Sequence, residues 1–240
     1  MFLRNDRFLY PIIVVHVMDK LKILIPPSEG KKEGGIFEND SGFSSITRLL
    51  IKKIEAFDGD KEKLYGVKGK NLQKAIKINS KILNSKTLPA IKRYSGVVFN
   101  AIDYETLKNK KLFDRRVLIM SAMFGLVKPQ DKIPDYKLNI GKLNSDKLWR
   151  EELKDSLKDH FVIDLLPKAH KKAITYDKGI SIDFIIEKDG KRKPAGHDGK
   201  FIKGRFVRWL IENEITSIKK FNEFKEDGYF FDGKNFIKKG

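Results

Sequence analysis

The chain has 240 residues, 40% of them hydrophobic, 34% charged and 11% aromatic, and it has no cysteine. That length and apolar content suit a folded core and exclude a disordered chain, while the missing thiol excludes disulfides, thiolate metal sites, a cysteine nucleophile and thiol-based redox sensing. Fifty Lys and Arg against 32 Asp and Glu leave a formal charge of +18, with only ten of the fifty being Arg, so a polyanionic partner is favoured although a lysine-rich surface alone can produce the total.

Phe8 to Val17 is a short apolar run behind Arg4 and Arg7. It is too short for a bilayer, which takes about 20 apolar residues, and it lacks the cleavage site of a signal peptide. Residues 1–17 read as an over-extended start or an extra N-terminal segment, with Met18 as the initiator and 18–240 as one domain. The compartment expected is the cytoplasm.

Leu21 to Ile25 predicts a strand, and Pro26-Pro27-Ser28-Glu29-Gly30-Lys31 a loop. From Ser45, the spacing of Ile46, Leu49, Leu50, Ile54 and Phe57 predicts a helix with a serine to cap it. A second helix is expected over 70–85, with Leu72, Ile76 and Leu83 on one face. Residues 88–108 predict two short helices joined at Tyr94-Ser95-Gly96. Arg116 to Ser121 is a buried-strand run. A polar segment from Lys128 to Gly141 precedes a helix carrying Trp149, Leu153 and Leu157. Phe161 to Leu166 and Ile180 to Ile186 predict strands, and a basic loop over 187–199 leads into a helix at 200–214. Asp232-Gly233 between Tyr229-Phe230-Phe231 and Asn235-Phe236-Ile237 is a type I′ hairpin signal. Strands and helices alternate without a linker or repeat, which predicts a mixed α/β fold: a single compact domain, its mixed sheet flanked by helices.

Two segments suit anions. The first is the run from Lys191 to Arg208 with Lys191, Arg192, Lys193, His197, Lys200, Lys203, Arg205 and Arg208. On a helix, Ile202, Phe206, Trp209 and Leu210 face the core, Lys200, Lys203 and Arg208 the other side, and Gly204 permits close approach of a backbone or ligand. Asp198 is the expected cap, and the amides of the first turn would attract a phosphate. An ordinary solvated helix face is the alternative. The second is 88–98, where a helix–hairpin–helix would offer consecutive amides to a DNA phosphate, with Lys92, Arg93 and Tyr94 beside them. Any two packed helices also need such a turn.

Other matches fail. Ser28 and Lys31 fit a Ser-x-x-Lys pattern but lack its partner motifs. Gly66 to Asn71 lacks the spacing of a phosphate loop. His16, His160, His170 and His197 have no metal-site spacing, so no metal and no cofactor is expected, and iron sequestration is a weak alternative. Asp131, Asp135, Tyr136 and Lys137 suit acid–base work, or else turns and surface pairs.

Several of these segments together resemble the YaaA family of peroxide stress resistance proteins. The resemblance rests on Pro26 to Lys31, on Tyr94, Gly96 and Ile102-Asp103, and on Ser121, Ala122, Gly125, Leu126, Pro129, Asp131, Ile133, Pro134, Tyr136, Leu138 and Gly141. It continues at Val162 to Leu165, Lys200 to Arg208 and Gly228 to Asp232. It implies a single-domain α/β fold with a positively charged cleft, a helix-hairpin-helix element, binding to duplex or branched DNA, and a link to surviving hydrogen peroxide by limiting iron-driven damage. By position it places the hairpin at Tyr94-Ser95-Gly96 and the cleft wall at Lys200, Lys203 and Arg208. Two departures stand out: Lys128 and Lys137 where the family often has Arg, and Gly199 where this branch often has Asn.

The expected DNA-gripping set is therefore Lys31, Lys92, Arg93, Tyr94, Ser95, Gly96, Lys128, Lys137, Lys200, Lys203, Gly204, Arg205 and Arg208. The partner is duplex, bent or branched DNA, with no membrane and no stable protein partner. The rival from another class is an enzyme acting on a nucleic-acid base or nucleotide in the same cleft, with Glu29, Asp131 and Tyr136 as acid–base candidates.

Overall fold

Leu21–Ile25 (β1) is apolar at four of five positions and buried on both faces, the pattern of a central strand in a parallel sheet. The computed structural model describes residues 20–39 and 42–240. The expected start at Met18 and the run from Phe8 lie outside the described residues. The later strands are Leu88–Pro89 (β2), Val117–Ser121 (β3), Gly125–Val127 (β4), Lys132–Ile133 (β5), Phe161–Asp164 (β6), Lys178–Ser181 (β7), Phe184–Lys188 (β8), Lys191–Pro194 (β9), Phe230–Phe231 (β10) and Phe236–Lys239 (β11). A five-stranded sheet runs β4-β3-β1-β6-β7, a four-stranded one β10-β11-β8-β9, and β2 pairs with β5. In the larger sheet β1 lies parallel to β3 and to β6, and β7 runs parallel to β6, while β4 is antiparallel to β3. The chain thus leaves β1 for β3 on one side and returns to β6 on the other. In open α/β sheets ligands bind at such a reversal, outside the carboxyl end of the strand, here β1.

The helices are Ser45–Glu55 (α1), Lys61–Tyr65 (α2), Gly69–Ser80 (α3), Ala90–Arg93 (α4), Val97–Ile102 (α5), Lys110–Arg116 (α6), Ser145–Glu152 (α7), Lys168–Lys171 (α8) and Gly196–Glu212 (α9). The mixed α/β architecture with helices against the sheets is as expected. The Ser44 hydroxyl accepts from the Thr47 amide and caps α1. Helix α3 stops at Ser80, short of the expected 85, and buries Ala75 and Asn79. Leu83 beyond it is 47% exposed. Helix α6 escaped the sequence reading, which had only Arg116 and the strand after it.

The expected strand over 180–186 is two strands in different sheets. Ile182 still donates its amide to the Asp164 carbonyl beside β6, and the next residue, Asp183, bonds the Asn235 side chain beside β11. The chain therefore crosses from one sheet to the other between Ser181 and Phe184. The expected basic loop over 187–199 is in fact the β8–β9 hairpin. Asp189 and Gly190 both have positive φ, 51° and 69°, and Lys188 faces Lys191, which is the two-residue turn expected at Asp232-Gly233. At Asp232-Gly233 the β10–β11 hairpin has a longer loop instead, where the Asp232 carboxylate accepts the amides of Lys234 and Asn235.

Helix α9 begins at Gly196, four residues earlier than expected, with no side-chain cap, so Asp198 lies in its first turn. Its apolar side is as read. Phe206 packs among Phe184, Phe221, Phe224 and Phe236 at ring separations of 4.7–6.2 Å. Gly204 is a close-approach glycine: a Cβ there would lie 2.4 Å from the Val98 carbonyl and 2.6 Å from Ala101 Cβ, both on α5.

Candidate functional site

At the carboxyl end of β1, four separate segments meet. The loop from Pro26 to Lys31 bridges the 94–96 turn, with Lys31 paired to Tyr94. The Ser95 amide donates to the Gly30 carbonyl at 3.0 Å and the Lys32 amide to the Arg93 carbonyl at 2.8 Å. Gly96, at φ 127°, leaves no room for a Cβ, which would sit 2.8 Å from Ser28 Oγ. Ser121 arrives at the end of β3, and Tyr136 and Lys137 from the polar segment. Asn79 of α3 fixes that segment, donating to the Lys137 carbonyl and accepting from its amide.

A chain of buried hydroxyls lies inside. The amides of Met123 and Phe124 both donate to Ser121 Oγ. With its acceptor positions filled, Ser121 donates to Tyr136 Oη at 2.9 Å. Tyr136 Oη and Tyr94 Oη in turn share a hydrogen bond at 2.8 Å. Burial pushes the Tyr136 phenol up to about 12 and holds that of Tyr94 well above its ordinary value, so both stay neutral.

Over this chain sits the Lys31 amine, 4.3 Å from the Tyr136 ring centre and 5.8 Å from that of Tyr94. Nζ donates to the Ser28 carbonyl at 3.1 Å. Desolvation lowers its pKa to about 8, helped by Lys137 and Arg93 and opposed by Asp135 and Glu29. Lys137, its side chain only 14% exposed, lies 3.5 Å from the exposed Glu29. The Asp135 carboxyl accepts the Tyr136 amide and is raised by burial.

A second cluster forms at the end of β6, the strand beside β1. Asp164 is buried, accepts the Leu166 amide and the Tyr176 hydroxyl, and is raised by desolvation. Lys203 of α9 donates to the Leu165 carbonyl, and burial lowers its amine to about 8. Burial, with Lys203 nearby, takes His170 down to about 4. Two lysines thus sit desolvated at adjacent strand ends.

The expected DNA-gripping residues divide. Arg93 is wholly buried, its guanidinium donating to the carbonyls of Lys32, Lys86 and Ile133. Tyr94 and Gly204 are buried as well. Arg208, 15% exposed at its side chain, closes the end of α5 by bonding Ile102, Asp103 and Thr106, and it also pairs with Glu212. Arg205 pairs with Glu226, and Lys92 with Glu105. The hairpin offers fewer amides than expected, since those of Tyr94 and Ser95 are engaged by Ala90 and Gly30. These contacts correct the first reading: Arg93, Tyr94, Gly204 and Arg208 hold the fold. Lys128 and Lys200 are exposed, and Lys31, Ser95, Gly96, Lys137 and Lys203 line partly open positions.

Of the acid–base candidates, Glu29 and Tyr136 belong to the site. Asp131 makes a turn, its carboxylate accepting the Lys128 amide. Gly199 is explained too: a Cβ would press on Ala195 at 3.0 Å and on Phe184 at 3.4 Å. The sequence reading missed Asn79, Asp164 and Tyr176. Asp164 carried a signal, a carboxylate inside the apolar run FVIDLL. Among the described residues no three His, Asp or Glu side chains gather to hold a metal ion, and no helix is long and apolar enough to cross a membrane.

The Lys31 charge should cost stability. Its folded pKa of about 8 lies below the ordinary 10.5, so the cost is full below about pH 8 and fades as pH rises to 10.5. Lys31→Met is expected to stabilise the fold at pH 7 by on the order of 2 kcal/mol, with the gain shrinking towards pH 10. Thermal melts at both values check it, and a lower Tm for the variant at pH 7 would contradict it.

Fold and site define an α/β protein with a polar, lysine-bearing crevice at the carboxyl edge of a mainly parallel sheet. A family model described as peroxide stress protein YaaA matches residues 21–235, and the chain belongs to that family. A UPF0246 protein of Fusobacterium nucleatum is 28% identical over 90% of this chain and 98% of its own length. One from Corynebacterium glutamicum is 32% identical over 80% of this chain and 85% of its own, and one from Finegoldia magna 26% identical over 91% and 96%.

Proposed function

We propose that this member of the peroxide stress family binds duplex, bent or branched DNA through its phosphates, without reading base sequence, and so helps limit iron-driven damage to DNA. The observation that carries this reading is the surface formed by β9 and the first turn of α9. Lys191, Lys193 and Lys200 are exposed there, and among the described residues none of them is held in an ion pair. Phe201 beside them is 45% exposed, an aromatic face on which a splayed base can stack. Lys200 lies one helical turn before Lys203, so this surface runs into the crevice at the end of β6.

A gel shift with linear and four-way-junction DNA at 50 mM salt tests the reading, because phosphate-driven binding is strong at low ionic strength. A shift indifferent to base sequence is expected. No shift for either form would end the proposal.

A second reading, an enzyme acting on a nucleic-acid base or nucleotide in the same cleft, is favoured by one observation. The hydroxyl chain Ser121–Tyr136–Tyr94 under a desolvated amine is more than phosphate gripping needs. Incubation with damaged DNA or nucleotides, read by mass spectrometry, separates the two, and absence of any product removes the enzyme.

A further inference from the structure

We propose that Lys31 is a nucleophile that forms an imine with the aldehyde of a ring-opened sugar in damaged DNA. This rests on the DNA-binding reading above and goes beyond it. A lysine that only grips phosphate is best placed in water, as a fully charged point. Lys31 is placed otherwise: its backbone pairs with Tyr94 where the β1 loop meets the 94–96 turn, and its amine lies against two tyrosine rings with one carbonyl partner. The residue nonetheless keeps part of its surface open, beside Ser28, Gly30 and Ser95. Burial next to other cations is the standard way to keep a lysine amine neutral and nucleophilic near neutral pH.

The substrate class follows from the surroundings. An amine of this kind attacks carbonyls. Lys137, the surface-reaching cation beside it, suits a phosphate next to a carbonyl-bearing sugar. A deoxyribose that has lost its base presents such an aldehyde at C1′, and oxidative attack on DNA produces such sugars.

The step balances without an oxidant or a metal. The Nζ lone pair adds to C1′, and the carbonyl oxygen leaves as water after taking up protons. The C=N bond formed is protonated. Loss of a C2′ proton to a carboxylate then breaks the C3′–O bond, and the 3′ phosphate departs. Glu29, two residues from Lys31 and paired with Lys137, is the carboxylate placed for that proton.

The test uses the full chain, a duplex with one abasic site, and the same duplex intact, each treated with sodium cyanoborohydride. The expected result is a one-to-one covalent adduct with the abasic duplex alone, mapped by peptide mass spectrometry to Lys31. Lys31→Arg keeps the charge and should lose the adduct while still shifting intact DNA. The mapping of the wild-type adduct needs no variant, so a variant that fails to fold leaves the result intact. Intact DNA bound with no adduct, or an adduct scattered over surface lysines, overturns this inference and leaves the DNA-binding reading standing. If no DNA is bound at all, that reading fails, and 2-deoxyribose 5-phosphate in the same reaction decides the amine. Selective labelling of Lys31 supports it, and unselective labelling overturns it.

Discussion

Arg93→Ala is expected to cost about 3–5 kcal/mol of folding stability, because it leaves buried carbonyls without their charged donor. Arg93 is wholly buried and joins three segments that are distant in sequence: Lys32 after β1, Lys86 before β2, and Ile133 in β5. Removing the guanidinium strips these carbonyls of partners in a place water does not reach. Urea unfolding of the variant checks this. A loss below about 1 kcal/mol would return Arg93 to the list of surface-acting cations, since a surface substitution costs little. The contrast with Lys200 is instructive: it is exposed at the start of α9, and Lys200→Ala should leave unfolding unchanged and weaken DNA binding.

DNA affinity itself should fall steeply with salt. Six phosphate contacts would lower it by about 10³ between 50 and 200 mM salt, through release of condensed counterions. The exposed lysines on β9 and at the start of α9, with Lys128 and Lys137, supply most of such a set. Anisotropy titrations of a labelled duplex across that range measure it. A nearly flat dependence would mean that contacts other than phosphates hold the DNA.

Much of the fold was legible because the signals were local. The apolar runs of β1, β3 and β6 announced strands, and a serine ahead of the spacing of Leu50 and Ile54 announced α1. What failed depended on partners distant in sequence. The run from 180 to 186 looks continuous, yet Ile182 follows β6 while Asp183 joins Asn235. The Asp-Gly pairs at 189–190 and 227–228 make tight turns with both residues at positive φ, whereas the pair at 232–233 sits in a longer loop, because the strand register on each side sets the loop length.

The site was half legible. The motif segments at 26–31, 94–96 and 121–137 were picked out one by one, and the pairing of Lys31 with Tyr94 and the Tyr94–Tyr136 hydrogen bond join them. Charge misled in a particular way. A basic residue reads the same in sequence whether it faces water or a ring of carbonyls, so Arg93 and Arg208 were grouped with Lys200. Burial and hydrogen bonding separate them: the arginine forks suit fixed carbonyls, and Lys200 remains at the surface.

That separation is the central claim of the proposal: DNA phosphates would be held by the exposed lysines of β9 and α9, while the buried arginines hold the fold. The salt dependence of duplex binding by a Lys191→Ala, Lys193→Ala, Lys200→Ala triple variant tests it most directly. Three lost phosphate contacts should lower the slope of log affinity against log salt by about 3, with unfolding unchanged. A slope equal to that of the unaltered chain would contradict the account.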